Sequence, residues 1–136
     1  MASMPVRVGD PADRAVALPA PFEWSGEHIA CALPGGGALF TTRRGGVSAP
    51  PYDGLNLGIL TADDHAAVDA NRDRLAAAIA IARERTLQGL QVHGTHVRRV
   101  RELPPPGAEL ADADGQATAL DGVAAVVLTA DCLPVA

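Results

Sequence analysis

The sequence predicts an α+β domain from three observations: a pair of short strand-like runs around Pro34 and Gly35 to Gly37, one long Ala-rich stretch with helical periodicity, and later apolar runs of strand length. The 136 residues suffice for one domain of ordinary size. Hydrophobic residues make up 48% and charged residues 20%, so the chain can bury a core. Aromatics are only 3%, so that core has to be built from Ala, Val, Leu and Ile.

Residues 1–27 read as a loose leader, rich in Ala and Pro over 1–21, and residues 28–136 as the domain. His28 to Leu33 and Ala38 to Thr42 are expected strands, joined by a somewhat long turn through Pro34 and the glycines. The polar stretch from Arg43 to Gly58 is too long for a simple connection, and ordered loops of that length tend to carry function. Asp63 and Asp64 are N-cap candidates for a helix over about Ala66 to Arg85, which puts Val68, Leu75, Ile79 and Ala82 on one face. Leu87 to Val92 is an expected strand running into His93 and Gly94. His96 to Arg101 alternates apolar and polar residues as a half-exposed strand does, and Pro104 to Pro106 end it. After a polar segment around Asp112 to Asp121, Val123–Thr129 has the length and β-branched content of a buried strand. Such a strand needs neighbours on both edges, and few residues follow it, so the domain reads as interrupted.

The net charge of −5 argues against a general nucleic-acid binder, which needs a basic face. All 11 positive charges are Arg, and the lack of Lys excludes Schiff-base chemistry through a side-chain amine. Cys31 and Cys132 are too few for a disulfide scaffold and suit a reducing compartment. Asp10, Asp13 and Arg14 interrupt any signal-peptide core, and no run approaches the roughly 18 apolar residues of a membrane helix. A cytoplasmic protein without a membrane or nucleic-acid partner is expected.

Cys132 follows the last expected strand, where side chains of a layered protein emerge into a cleft. There it is a thiolate metal ligand, a nucleophile, or a small packed hydrophobe. His93 also ends an expected strand, beside Gly94, where the backbone can turn sharply. His96, three residues on in a strand-like setting, faces the other way and reads as a surface residue. Zinc accepts Cys sulfur and His nitrogen together, but a catalytic zinc takes three protein ligands. His93 and Cys132 supply two, with Asp131, His28, His65 and Cys31 open as a third. Arg43 and Arg44 with Gly45 and Gly46 form either an anion-binding turn or an exposed one. Asn56 either binds a ligand or fastens its own loop.

Phe40–Ser48 (FTTRRGGVS), Pro51–Gly58 (PYDGLNLG), Asn71–Leu75 (NRDRL), Gln91–Gly94 (QVHG) and Thr129–Val135 (TADCLPV) follow one another in a familiar order. That order resembles the laccase-domain family, also called the multi-copper polyphenol oxidoreductase family, whose members are regarded as purine nucleoside phosphorylases. Asp114 and Thr118 fit a further ADA-x-x-T pattern, with Gly115 in place of its second Ala. Ile59–Asp64 (ILTADD) departs from the His/Gly-containing stretch usual there.

The resemblance implies a layered mixed β-sheet with flanking helices, incomplete here at the C-terminus because the family's third metal ligand is a His in a later HAGWRG motif. It implies His93 and Cys132 as ligands of a catalytic zinc, with copper as the alternative. It places Arg43 and Asn56 near the substrate, and Asp131 and Asp114 there as groups for binding or proton transfer. The implied partners are a purine nucleoside and phosphate, and the implied reaction is phosphorolysis of adenosine- or inosine-type nucleosides to free base and ribose 1-phosphate. Deamination of adenosine, with water activated by zinc, is a related implied activity. An Arg suits the phosphate, since it stabilises charge without deprotonating. The rival readings are a copper-dependent polyphenol oxidase, a Cys132 nucleophile with His93 as its base, and a truncated non-catalytic fragment.

Overall fold

A computed structural model describes residues 16–130, 132 and 134. Among them are seven strands and one α-helix, of mixed α+β character, and the chain divides into two compact units, Met1–Asn71 and Arg72–Ala136.

In the first unit, β1 (Phe22–Ser25), β2 (His28–Leu33) and β3 (Gly36–Phe40) form one antiparallel sheet in that order. β1 lies inside the stretch expected as a leader. Two aromatics in four residues give it strand propensity, and β2 supplies the edge on which it pairs, with Phe22 opposite Cys31. Phe22 and Phe40, on opposite sides of β2, meet edge-to-face with ring centroids 6.2 Å apart. The second hairpin is tighter than expected, since Leu33 already pairs with Gly36. Pro34 presets the turn and Gly35 takes φ 77°, which frees the next two glycines to join the ladder.

The helix α1 (His65–Ala78) starts at Asp64, whose carboxylate accepts from Ala66 N at 3.0 Å. The expected continuation to Arg85 fails. Ala80 swings to φ 53°, Ala80 N donates to Ala77 O and Ile81 N to Ala76 O, which together close a left-handed terminal loop. Arg83–Arg85 then form only a 3-10 turn.

In the second unit, β4 (Thr86–Gln88) pairs in parallel with β7 (Ala124–Val126), and β5 (Val97–Val100) in parallel with β6 (Gly115–Thr118). Arg85 sets the first of these registers: its Nε and Nη2 donate to Gly122 O at 2.7 Å and Asp121 O at 2.6 Å, so β4 and β7 start side by side. β4 is shorter than the expected strand, and β6 occupies a segment expected to be a polar connection. β7 covers three residues of the expected Val123–Thr129, and it is half-exposed rather than buried: the second face of this run is not covered among the described residues, and Val127 is 39% exposed.

The first unit buries Cys31, Leu55 and Val68 with the polar His28, Ser48 and Asn71; the second buries Ala76, Leu87, Val100 and Ala113.

Candidate functional site

In the first unit the functional candidates lie on the loop between β3 and α1, which has no regular structure of its own and is organised by the helix. Asn71 stands on α1 three residues after Val68, so the helical period turns it inward with that core residue. It is fully buried at 0% exposure. Its amide nitrogen donates to Ser48 Oγ, Gly54 O and Asn56 O at 2.9–3.0 Å, and its oxygen accepts from Val47 N at 2.8 Å. A buried amide that shares its two N–H groups among three acceptors and takes a donor at its oxygen supplements the isolated Ser48–Gly54 backbone bridge of the loop.

Around this hub the loop closes on itself. Ser48 Oγ and Asn56 Nδ2 both donate to Asp63 Oδ2, at 2.6 and 2.9 Å, and Asp64 N donates to Asp63 Oδ1. The Ser48 hydroxyl, first, and the Asn56 amide hold the Asp63 carboxyl below its usual range. Asn56 also donates to Thr61 Oγ1 and accepts from Gly58 N, so its side chain fastens the loop. Asp63, expected as a helix cap, serves this network and leaves the capping to Asp64. Gly46 sits where a Cβ would overlap the backbone of Gly54 and Leu55, so that glycine is demanded by the loop's own packing.

Arg43 is exposed on the same loop. Its Nε donates to Asp53 O at 2.7 Å, while its carbonyl accepts from Leu55 N at 2.8 Å. Among the described residues its Nη groups make no further bond, so one edge of the guanidinium is anchored and the other is presented outward.

In the second unit, His93 lies past the end of β4 in a turn, at φ 56°, rather than at the tip of a strand. The Asp114 carboxylate holds that turn. Val92 N donates to Oδ1 at 3.1 Å and Oδ2 at 3.3 Å, His93 N to Oδ1 at 2.8 Å, and Gly94 N to Oδ2 at 2.9 Å. The Gly94 amide, foremost, with those of Val92 and His93 and the nearby imidazole, keeps the Asp114 carboxyl below its usual range. At neutral pH it is an ionised acceptor, which suits holding backbone amides rather than giving up a proton. The His93 ring is exposed and makes no hydrogen bond among the described residues.

Cys132 is an exposed free thiol. Four residues before it, Leu128 is tied to Gln91, whose amide donates to Leu128 O at 2.8 Å and accepts from Leu128 N at 2.7 Å. Asp131 lies outside the described residues. An imidazole and a free thiol are the donors that a nitrogen- and sulfur-binding metal accepts, so the chemistry of His93 and Cys132 fits zinc or copper. Among the described residues no group of three His, Cys, Asp or Glu gathers to hold an ion. His28 and Cys31, open as third ligands on sequence, are buried in β2; His28 Nδ1 accepts from Thr42 N at 3.3 Å, a structural role.

A family model described as "Multi-copper polyphenol oxidoreductase laccase" matches residues 37–136. The chain belongs to this family. The matched span contains both loops just described. Among curated relatives of this laccase-family chain, a purine nucleoside phosphorylase of Mycobacterium tuberculosis is 53% identical over 95 residues, covering 70% of this chain and 37% of that protein. One of Streptomyces griseus is 47% identical over 96 residues, covering 71% and 39%. The laccase-family chain thus spans under two fifths of these relatives' length. A crystal structure from Geobacillus stearothermophilus matches with a TM-score of 0.66 at 31% identity, over 77% of this chain and 43% of that one. A Neisseria meningitidis structure matches with a TM-score of 0.59 at 29% identity, over 82% and 41%. Among the described residues of this family member, no helix is long and apolar enough to cross a membrane.

Reading residue types alone misses Asn71, Ser48, Asp63 and Gln91 as parts of these loops. The signal for Asn71 is a polar residue placed on the inward stripe of a helix, where only a partnered amide is tolerated.

Proposed function

We propose that this laccase-family chain acts in a purine nucleoside phosphorylase, releasing free base and ribose 1-phosphate from adenosine- or inosine-type nucleosides. The observation that carries the reading is the one-edge anchoring of Arg43, on a loop inside the span similar to curated purine nucleoside phosphorylases. A guanidinium held through Nε offers its remaining donors to an anion in a set direction, as phosphate binding requires. Asn56 and Asp63 act by shaping the loop that carries it. We assign His93 and Cys132 as metal ligands for zinc, with further ligands outside the described residues. Bound zinc would supply Lewis acidity and lower the pKa of water, which suits an accompanying deamination of adenosine. Two free thiols agree with a reducing, cytoplasmic setting.

The test is base release from inosine and adenosine by the intact protein, with and without phosphate. Release that requires phosphate and falls about 100-fold or more in Arg43→Lys supports the reading. Deamination is scored separately as inosine formed from adenosine without phosphate. Failure of phosphate-dependent release after zinc loading, together with phenol oxidation after copper loading, would establish the oxidase reading in its place.

A further inference from the structure

We propose that Asp114 and Gln91 are the positioning residues of the His93–Cys132 pair, each orienting one of its two segments; the inference rests on the metal-binding reading of that pair. Three consecutive amides converge on one carboxylate only if the backbone curls, and here it does so by putting His93 at φ 56°. For a residue other than glycine that conformation is sterically unfavourable. The charge-assisted bonds to Asp114 offset it. The carboxylate takes the backbone of 92–94 and leaves the imidazole free, so it sets the direction of the His93 side chain without consuming its nitrogens.

Gln91 works on the other segment. The parallel ladder of β4 and β7 ends with Gln88 opposite Val126. Beyond it, Leu90 turns its backbone to the opposite side, with Leu90 N donating to Ala111 O and accepting Ala113 N at its carbonyl, both at 2.9 Å. The Gln91 side chain then supplies Leu128 with the donor and acceptor that a neighbouring strand would have given. The approach to Cys132 is therefore registered against the approach to His93 by one side-chain amide. A metal shared by two side chains tolerates little error in their separation, so residues that fix both backbones set its affinity.

The experiment uses Co(II) as the probe in the intact protein, reading affinity by titration and the thiolate-to-cobalt absorption band. Asp114→Asn and Gln91→Glu are expected to weaken Co(II) binding by about 10- to 100-fold each and to shift the band. Gly46→Ala, on the loop of the first unit, is the control: it should lower thermal stability and leave the band in place. If the band disappears in Cys132→Ser and His93→Ala but is unchanged in both positioning variants, with unchanged affinity, the positioning role is overturned and the metal reading stands. A lack of any band in the unsubstituted protein removes the metal reading, and this inference with it. If a variant does not fold, amide exchange in the unsubstituted, metal-free protein decides. Protection at Val92, His93 and Gly94 supports the clamp, and exchange at unstructured-peptide rates overturns it.

Discussion

The loop between β3 and α1 and the turn at 92–94 are both irregular segments pinned by one polar side chain, yet Asn71 and Asp114 hold them by opposite physics. Asn71 is neutral and fully buried, so its polar contacts form without water as a competitor and without the cost of burying a charge. Asp114 is ionised and open to solvent, so its bonds are charge-assisted but compete with hydration. The first arrangement gives stability and a rigid platform for Arg43. The second fixes the backbone from which the His93 side chain projects.

If that contrast is right, the largest effect comes from Asn71→Ala. It strands Val47 N–H and the Asn56 carbonyl and takes one partner each from Gly54 O and the Ser48 hydroxyl, which keep Ser48 N and Asp63, and should cost about 3 kcal/mol in urea unfolding. A loss under about 1 kcal/mol would mean that the loop holds itself and Asn71 is incidental. Gly46→Ala comes next, at about 2–3 kcal/mol, because a methyl group there meets the backbone of Gly54 and Leu55 and has no flexible neighbour to displace.

Acid should separate the two regions further. Burial, foremost, lowers the pKa of His28 from its ordinary 6.5, and the Glu27 carbonyl and carboxylate only partly oppose it. The fold favours neutral His28, so that stability is fully present above 6.5 and is lost as pH falls through the lowered folded value. Asp114, also lowered, contributes stability above its ordinary 3.8 and loses it only as pH falls through a value below that. On acidification the Thr42 amide, bonded to His28, should therefore lose exchange protection before the amides of Val92, His93 and Gly94 do. The reverse order would show that desolvation does not govern the first unit.

The smallest effect is a gain. Ala80→Gly relieves the left-handed residue that closes α1 and should add about 1 kcal/mol to stability, read as a rise in Tm. No gain would indicate that flexibility added to the unfolded chain cancels the relief.

Much of the organisation was legible because it rests on local chemistry. The β2–β3 hairpin follows from Pro34 and Gly35, and the helix start from Asp64 and the Ala-rich run. The family followed from five short motifs in order, and the span matched at 37–136 agrees with it. Less legible were the helix end, where no glycine marks the left-handed position, and β6, whose sequence GQAT carries weak strand character and forms a ladder only because β5 offers an edge. The expected buried strand at 123–129 showed the reverse error: its β-branched composition set propensity for seven residues, while among the described residues a neighbouring strand pairs with only three.

Residue identity by itself determined which side chains had the chemistry to matter: an Arg in a glycine-rich loop, a His before a Gly, and a Cys after an apolar run. Tertiary structure alone decided which of them were left free. Asn56 and Asp63, expected to meet substrate and cap a helix, are consumed in a network centred on Asn71; the His93 ring is left free because Asp114 takes the backbone instead. The reason is that a hydrogen-bonding group's availability depends on its partners, which lie 7 residues apart for Asn56 and Asp63, 21 for His93 and Asp114, and 37 for Gln91 and Leu128. Local propensity carries no information about separations of that length.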